Sequence, residues 1–270
     1  MIPFDFITEW RQHAPWVQDA QVEQDLIIGR ALVEMFQEPA VAETLAFRGG
    51  TALYRMYLSP AARYSEDIDL VQVVAGPIGH TLSAIRGRLD PWLGEPRRVL
   101  KEGSVVLSYR VESEGPPPLP LRLKIEINTR EHFSVFGVEA RRFEVDSRWF
   151  SGSAPIQTYA LDELLGTKLR ALYQRKKGRD LFDLWCAHTI AGVGEARIVQ
   201  CFQKYLDHSG LRVSRAEFEA NLDGKLSDPR FLGDIVPLLA PGSAWDPGGA
   251  GRYARKLVAR LPGKPWKGRA

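Results

Sequence analysis

Apolar residues recur at helical spacing through residues 22–36, where Val22, Leu26, Ile27, Ala31, Met35 and Phe36 share a side, so a helix is predicted to lead into Phe47-Arg48-Gly49-Gly50-Thr51. A short helix over residues 52–57 follows, with Thr51 in its first turn and Pro60 ending it. Residues 65–74 alternate and are rich in β-branched side chains, which predicts a strand. A helix near residues 78–92 precedes two strands over 104–112 and 119–128, joined by the stiff loop Glu114-Gly115-Pro116-Pro117-Pro118 as a hairpin. In the second of these strands Leu121, Leu123, Ile125 and Ile127 point to one face, and Arg122, Lys124, Glu126 and Asn128 to the other. One face is core and the other is charged.

Beyond about Pro155 the pattern turns helical. Leu161, Leu164, Leu165, Leu169 and Leu172 form a stripe with Asp162 and Glu163 in the first turn, Gly178 breaks it, and Leu181, Leu184, Trp185 and His188 start another helix. Further helices are predicted over 196–205, 215–222 and 231–239, and the Gly- and Pro-rich stretch 241–251 leads to a basic tail expected to be partly disordered. The implied division is residues 1–154 and residues 155–270, without internal repeats.

Composition narrows this picture without redirecting it. The chain has 270 residues with a 44% hydrophobic fraction, enough to bury a core and too apolar for a disordered chain. No apolar run approaches the roughly 20 residues of a membrane span, and the start MIPFDFITEW lacks the pattern of a secretory signal, so a cytoplasmic location without membrane attachment is expected. Cys186 and Cys201 lack the paired spacing of a zinc site and read as buried small residues. Lys and Arg exceed Asp and Glu by 36 to 33, and the basic residues concentrate at Arg175, Lys176, Lys177 and Arg179 and at Arg252, Arg255, Lys256, Arg260, Lys264, Lys267 and Arg269. Such clusters suit a polyanion, or a solvated surface.

The candidate chemistry begins with Asp67 and Asp69, which flank Ile68 in a predicted strand and therefore share a face while Ile68 and Leu70 enter the core. Two adjacent carboxylates repel unless a cation lies between them, and a hard divalent ion such as Mg²⁺ (or Mn²⁺) takes oxygen ligands of this kind. Upstream, Gly49-Gly50 before a helix would let the backbone approach a triphosphate, with exposed N–H groups and the Thr51 hydroxyl as donors. Asp-x-Asp alone also occurs on solvated strand edges, and Gly-Gly-Thr alone is equally a turn. Their order, with Glu126 as a third carboxylate on a later strand, is what counts. Lys168 lies on or beside an apolar stripe, where a lysine must snorkel or meet an anion.

Three separated blocks carry a resemblance: Phe47-Arg48-Gly49-Gly50-Thr51-Ala52-Leu53; Arg63-Tyr64-Ser65-Glu66-Asp67-Ile68-Asp69-Leu70; and Glu163-Leu164-Leu165-Gly166-Thr167-Lys168-Leu169-Arg170-Ala171-Leu172 with Arg179-Asp180-Leu181-Phe182-Asp183-Leu184. Together they resemble the AbiEii/MenT branch of the polymerase-β-type nucleotidyltransferases. The resemblance implies an α+β fold, a mixed sheet flanked by helices followed by a mainly helical bundle. It implies Asp67, Asp69 and Glu126 as catalytic metal ligands, Gly49, Gly50, Thr51 and Ser65 as nucleotide-binding, Lys168 facing the triphosphate, and Asp183 supporting the site. The implied reaction is attack of an acceptor hydroxyl on the α-phosphorus of an NTP with loss of pyrophosphate. Members act as toxins in toxin–antitoxin and phage-defence systems, with a separately encoded antitoxin as partner and the 3′ end of tRNA as acceptor in those characterised best. Arg175, Lys176, Lys177 and Arg179 are the sequence's candidates for RNA phosphates. A protein or small-molecule hydroxyl as acceptor, a catalytically inactive binding module, and a metal-dependent nuclease are the competing readings.

Overall fold

The computed structural model describes residues 2–115 and 117–268, so Pro116 of the hairpin loop and Arg269 of the basic tail lie outside the described residues. The chain divides into two compact units, Met1–Tyr159 and Ala160–Ala270.

The first unit runs α1 (Phe4–Trp10), α2 (Asp19–Phe36), α3 (Pro39–Ala42), β1 (Leu45–Arg48), α4 (Gly49–Met56), β2 (Asp67–Gln72), α5 (Gly79–Leu93), β3 (Arg97–Lys101), β4 (Ser104–Glu112), β5 (Pro120–Asn128), β6 (Val138–Asp146) and β7 (Ser151–Tyr159). The strands form one mixed sheet in the order β3-β4-β5-β2-β1-β7-β6. β2 runs parallel to β5 and antiparallel to β1, and β1 runs parallel to β7. Helix α2 lies against β5, β6 and β7, with Leu26, Ile27, Ile28, Ala31 and Leu32 fully buried, which is why its apolar positions spread beyond a single stripe.

The elements read from the sequence are present, with shifted ends. The short helix starts at Gly49, three residues ahead of its expected start at Ala52, and the strand expected over 65–74 keeps only Asp67–Gln72. Four strands carry no clear signal of their own. β1 is only Leu-Ala-Phe-Arg, too short and too uniformly buried to be told from a helix. β3 and β6 are the outer strands and are mostly exposed, so they lack a strict alternation. β7 contains Gly152 and Pro155, weak strand formers; Pro155 is tolerated because the pairing with β1 is confined to Phe47 opposite Thr158, where the Thr158 hydroxyl also donates to the Phe47 carbonyl at 2.7 Å. β7 carries the first unit through Tyr159, a few residues beyond the break placed at 154/155.

The second unit is helical: α6 (Leu161–Gln174), α7 (Gly178–Ile190), α8 (Glu195–His208), α9 (Arg215–Leu226), α10 (Pro229–Gly233), a 3-10 turn (Val236–Leu238) and α11 (Pro247–Val258). The expected helix over 231–239 is thus split around Asp234, with Pro237 in the 3-10 turn. The basic tail differs more from expectation. Residues 247–258 form an ordered helix because Ala250, Tyr253, Ala254, Leu257 and Val258 recur at helical spacing and are buried, leaving the basic residues on the outer face. Cys186 and Cys201 are buried free thiols, and burial pushes Cys201 up to about 12. No helix among the described residues is long and apolar enough to cross a membrane.

Candidate active site

The site in the first unit follows from strand register. Within β2, Ile68 and Leu70 are buried while Asp67 and Asp69 project from the other face. β5 pairs with β2 so that Asp69 lies opposite Glu126 and Asp67 opposite Lys124, bringing together groups nearly 60 positions apart in the chain. β1 supplies the third side, with Arg48 opposite Asp69. The chain then turns at Gly49, whose φ of 85° only glycine adopts freely. A Cβ there would lie 2.9 Å from the Asp69 Cβ and would overlap its carboxylate outright, so the glycine turn and the Asp-x-Asp strand are in direct contact.

Charge in this cluster is only partly balanced. Lys124 Nζ is 2.7 Å from Glu126 and 3.7 Å from Asp67. Burial disfavours the ammonium, but the hydrogen bond to Glu126 and the charges of Asp67, Glu126 and Asp69 outweigh it and raise the Lys124 pKa. Glu126 is thereby turned to Lys124, and among the described residues no three Asp, Glu, His or Cys side chains are gathered around a common metal position. Asp67 is different: its side chain is 35% exposed, yet Oδ1 is closed off from solvent with no hydrogen-bond partner among the described residues. A buried carboxylate oxygen without a donor is costly, and a cation would satisfy it.

The glycine turn is held from beneath. Thr51 is buried, and its hydroxyl donates to the Asp67 carbonyl at 2.6 Å and lies 2.9 Å from the Ser65 hydroxyl. In this arrangement Thr51 ties α4 to the start of β2 and does not present its hydroxyl outward. A Cβ at Gly50 would meet the Arg63 guanidinium, and Ser65 Oγ at 3.1 Å. Arg63 is only 3% exposed, donates to the Tyr64 carbonyl at 3.0 Å and lies over the Tyr54 ring. Arg63 and Lys124 are charged members of the site that the sequence reading did not assign. Lys124 had a visible signal, its place on the same strand face as Glu126; nothing in the sequence announces that Arg63 is buried.

The second unit holds Lys168 and Asp183. Lys168 is 7% exposed and reaches Asp183 at 2.8 Å and Asp180 at 3.6 Å, both fully buried. Asp180 also accepts two bonds from Arg175, at 2.7 and 2.8 Å. The lysine on the apolar stripe has therefore met its anions. The basic cluster after α6 is largely neutralised too, since Lys176 pairs with Asp228 at 2.5 Å and Lys177 with Asp234 at 3.9 Å, while Arg179 is half-buried.

Sequence and fold both match a known group of proteins. The family described as nucleotidyl transferase AbiEii toxin, type IV toxin–antitoxin system, matches residues 30–246. Among solved structures, the nucleotidyltransferase toxin MenT4 from Mycobacterium tuberculosis superposes with a TM-score of 0.65 at 16% identity, covering 97% of this chain and 91% of its own. JHP933 from Helicobacter pylori gives a TM-score of 0.52 at 18% identity, covering 90% and 91%. Comparison with curated proteins finds no match. At such identities the structures speak for the fold, a mixed sheet with flanking helices, and the family match supplies the class. The chain belongs to the AbiEii nucleotidyltransferase toxin family of type IV toxin–antitoxin systems.

Proposed function

We propose that this protein transfers a nucleoside monophosphate from an NTP to a hydroxyl of RNA, with the 3′ end of tRNA as acceptor, in a reaction dependent on Mg²⁺ or Mn²⁺ and restrained by a cognate antitoxin. The observation that carries the reading is the Gly49 turn seated on the Asp69 carboxylate beside Asp67, whose buried Oδ1 has no protein donor. These donors fit a hard cation: Asp67 and Asp69 would hold it, and Glu126 would join them by exchanging Lys124 for the ion. When bound, the ion supplies neutralisation of the triphosphate's charge.

The chain's own groups do the positioning. The first-turn N–H groups of α4 have no intrahelical acceptors, and the N-cap residue Arg48 offers them no side-chain cap, which suits them to phosphate oxygens. Buried Arg63 next to Gly50 adds positive potential there, the Ser65 hydroxyl lies 2.9 Å from that of Thr51, and Thr51 fixes the turn against β2. In the second unit, Lys168 is held by the buried carboxylates Asp183 and Asp180. In the reaction the acceptor oxygen bonds to the α-phosphorus and gives up its proton, the bond from that phosphorus to the β-phosphate's bridging oxygen breaks, and pyrophosphate leaves. Placement and charge neutralisation carry such a step without a covalent nucleophile.

Ion pairing of Arg175, Lys176 and Lys177 favours a second reading, in which the acceptor is a protein or small-molecule hydroxyl. Incubation with each labelled NTP and total RNA separates the two. Label in the tRNA band supports RNA as acceptor, and label confined to protein or metabolite fractions overturns it.

A further inference from the structure

We infer that the groove between α9 and α11 in the second unit is a binding surface for single-stranded RNA, a surface role distinct from the Arg175–Lys177 cluster; the inference rests on the reading of RNA as acceptor. The groove measures about 470 Å³ and is lined by Arg215, Arg252, Arg255 and Lys256, by the carboxylates Glu219 and Asp223, and by Trp266. It is a built feature of the fold. The segment after α11 is tied to α9 at two points, the Arg215 N–H donating to the Pro262 carbonyl at 3.1 Å and the Trp266 N–H to Glu219 at 2.7 Å. Trp266 is thus fixed along the groove with its side chain part-exposed.

The balance of charge separates this surface from the other basic cluster. Arg175, Lys176 and Lys177 face three carboxylates, Asp180, Asp228 and Asp234, the first of them shared with Lys168. Around α11, Arg215 pairs with Glu219 and Arg255 with Asp223, but Glu195 serves both Lys256, at 2.7 Å, and Arg260, at 2.9 Å, and the two together hold its carboxyl below the usual range against the opposing effect of burial. Arg252 is 76% exposed and 3.7 Å from Asp246, itself 57% exposed, a contact screened by solvent. Lys264 and Lys267 follow on the exposed segment flanking Trp266. The second cluster therefore keeps a surplus of positive charge.

The combination selects the ligand. A surplus of guanidinium and ammonium groups attracts phosphodiesters, and an aromatic ring between them offers a face on which an unpaired base can stack. A fully paired duplex hides its base faces, and an acidic protein segment would use the cations but not the indole.

The test is fluorescence-anisotropy titration of the full chain with a short fluorescein-labelled single-stranded RNA across a salt series. Arg252→Glu with Lys256→Glu is expected to weaken binding at least about tenfold and flatten the dependence of log K on log salt by roughly 0.7 for each phosphate that the variant no longer neutralises. Trp266→Ala is expected to weaken it by about tenfold with the salt slope unchanged. Both changes lie on exposed or part-exposed positions, and matching melting curves confirm the fold. Wild-type binding with neither variant altered overturns the groove and leaves RNA as acceptor standing. Absence of wild-type RNA binding at low salt, with label from NTP found only on protein or metabolite, overturns both.

Discussion

A single methyl group is enough to probe the contact between the glycine turn and the Asp-x-Asp strand. Gly49 and Gly94 both have positive φ, 85° and 76°, but a Cβ at Gly94 meets open space and one at Gly49 meets Asp69. Gly94→Ala should therefore cost about 1–3 kcal/mol, the strain of its φ 76°, ψ −176° backbone alone, and Gly49→Ala clearly more, with loss of activity. Denaturant unfolding of the two variants checks this, and equal costs would refute the contact. Lys124 gives a second residue-scale test. Replacing it by Met removes the cation between Glu126 and Asp67, so the metal-free melting temperature should fall while the rise on adding Mn²⁺ exceeds that of wild type. Identical Mn²⁺ shifts in both proteins would show that lysine and metal do not compete. At this scale the alternation of β5 made Glu126 and Lys124 legible as one polar face, but their pairing to each other depends on rotamers that no spacing rule supplies. The closed-off Asp67 Oδ1 and the burial of Arg63 arise from packing of distant segments and were likewise out of reach.

Between elements, the second unit is assembled at points where small or charged residues leave no slack. A Cβ at Gly166 of α6 would overlap Cys201 of α8 and lie 3.0 Å from the Ile198 carbonyl, so Gly166→Ala should separate the helices at a cost of about 1–3 kcal/mol, read by chemical denaturation. Lys225 of α9 donates to the Leu172 and Tyr173 carbonyls at the end of α6, the latter at 2.8 Å. Burial pushes its pKa down to about 8, against an opposing pull from Asp180. Because the folded value lies below the unfolded one, the unfolded chain holds the proton more tightly. The resulting penalty is present below pH 8 and is relieved as pH rises towards 10.5. The stability of wild type relative to Lys225→Met should therefore rise across that window, and a flat difference would count against it. The helices α2, α6 and α8 were legible because helical periodicity survives burial. The outer strands β3 and β6 and the Pro- and Gly-containing β7 were not, since their positions are fixed by partners far along the chain. The helix α11 was hidden by the glycines and proline of its first turn, although its apolar spacing was present in the sequence.

At the scale of the whole molecule, three separated blocks of sequence give a family whose profile covers residues 30–246 and a fold shared with MenT4 over 97% of this chain. The mixed sheet converts that linear order into a site, because only the parallel pairing of β2 with β5 places Glu126 beside Asp69. In the proposed function these carboxylates support metal-dependent nucleotidyl transfer. Its most direct test is pyrophosphate release and label transfer from α-labelled NTP to RNA by wild type, Asp67→Asn and Asp69→Asn, with Mg²⁺ and with EDTA. The predicted result is transfer by wild type that EDTA abolishes and that either substitution lowers by at least about 100-fold with the fold intact. Undiminished transfer by the double substitution Asp67→Asn with Asp69→Asn, or by wild type in EDTA, would contradict it.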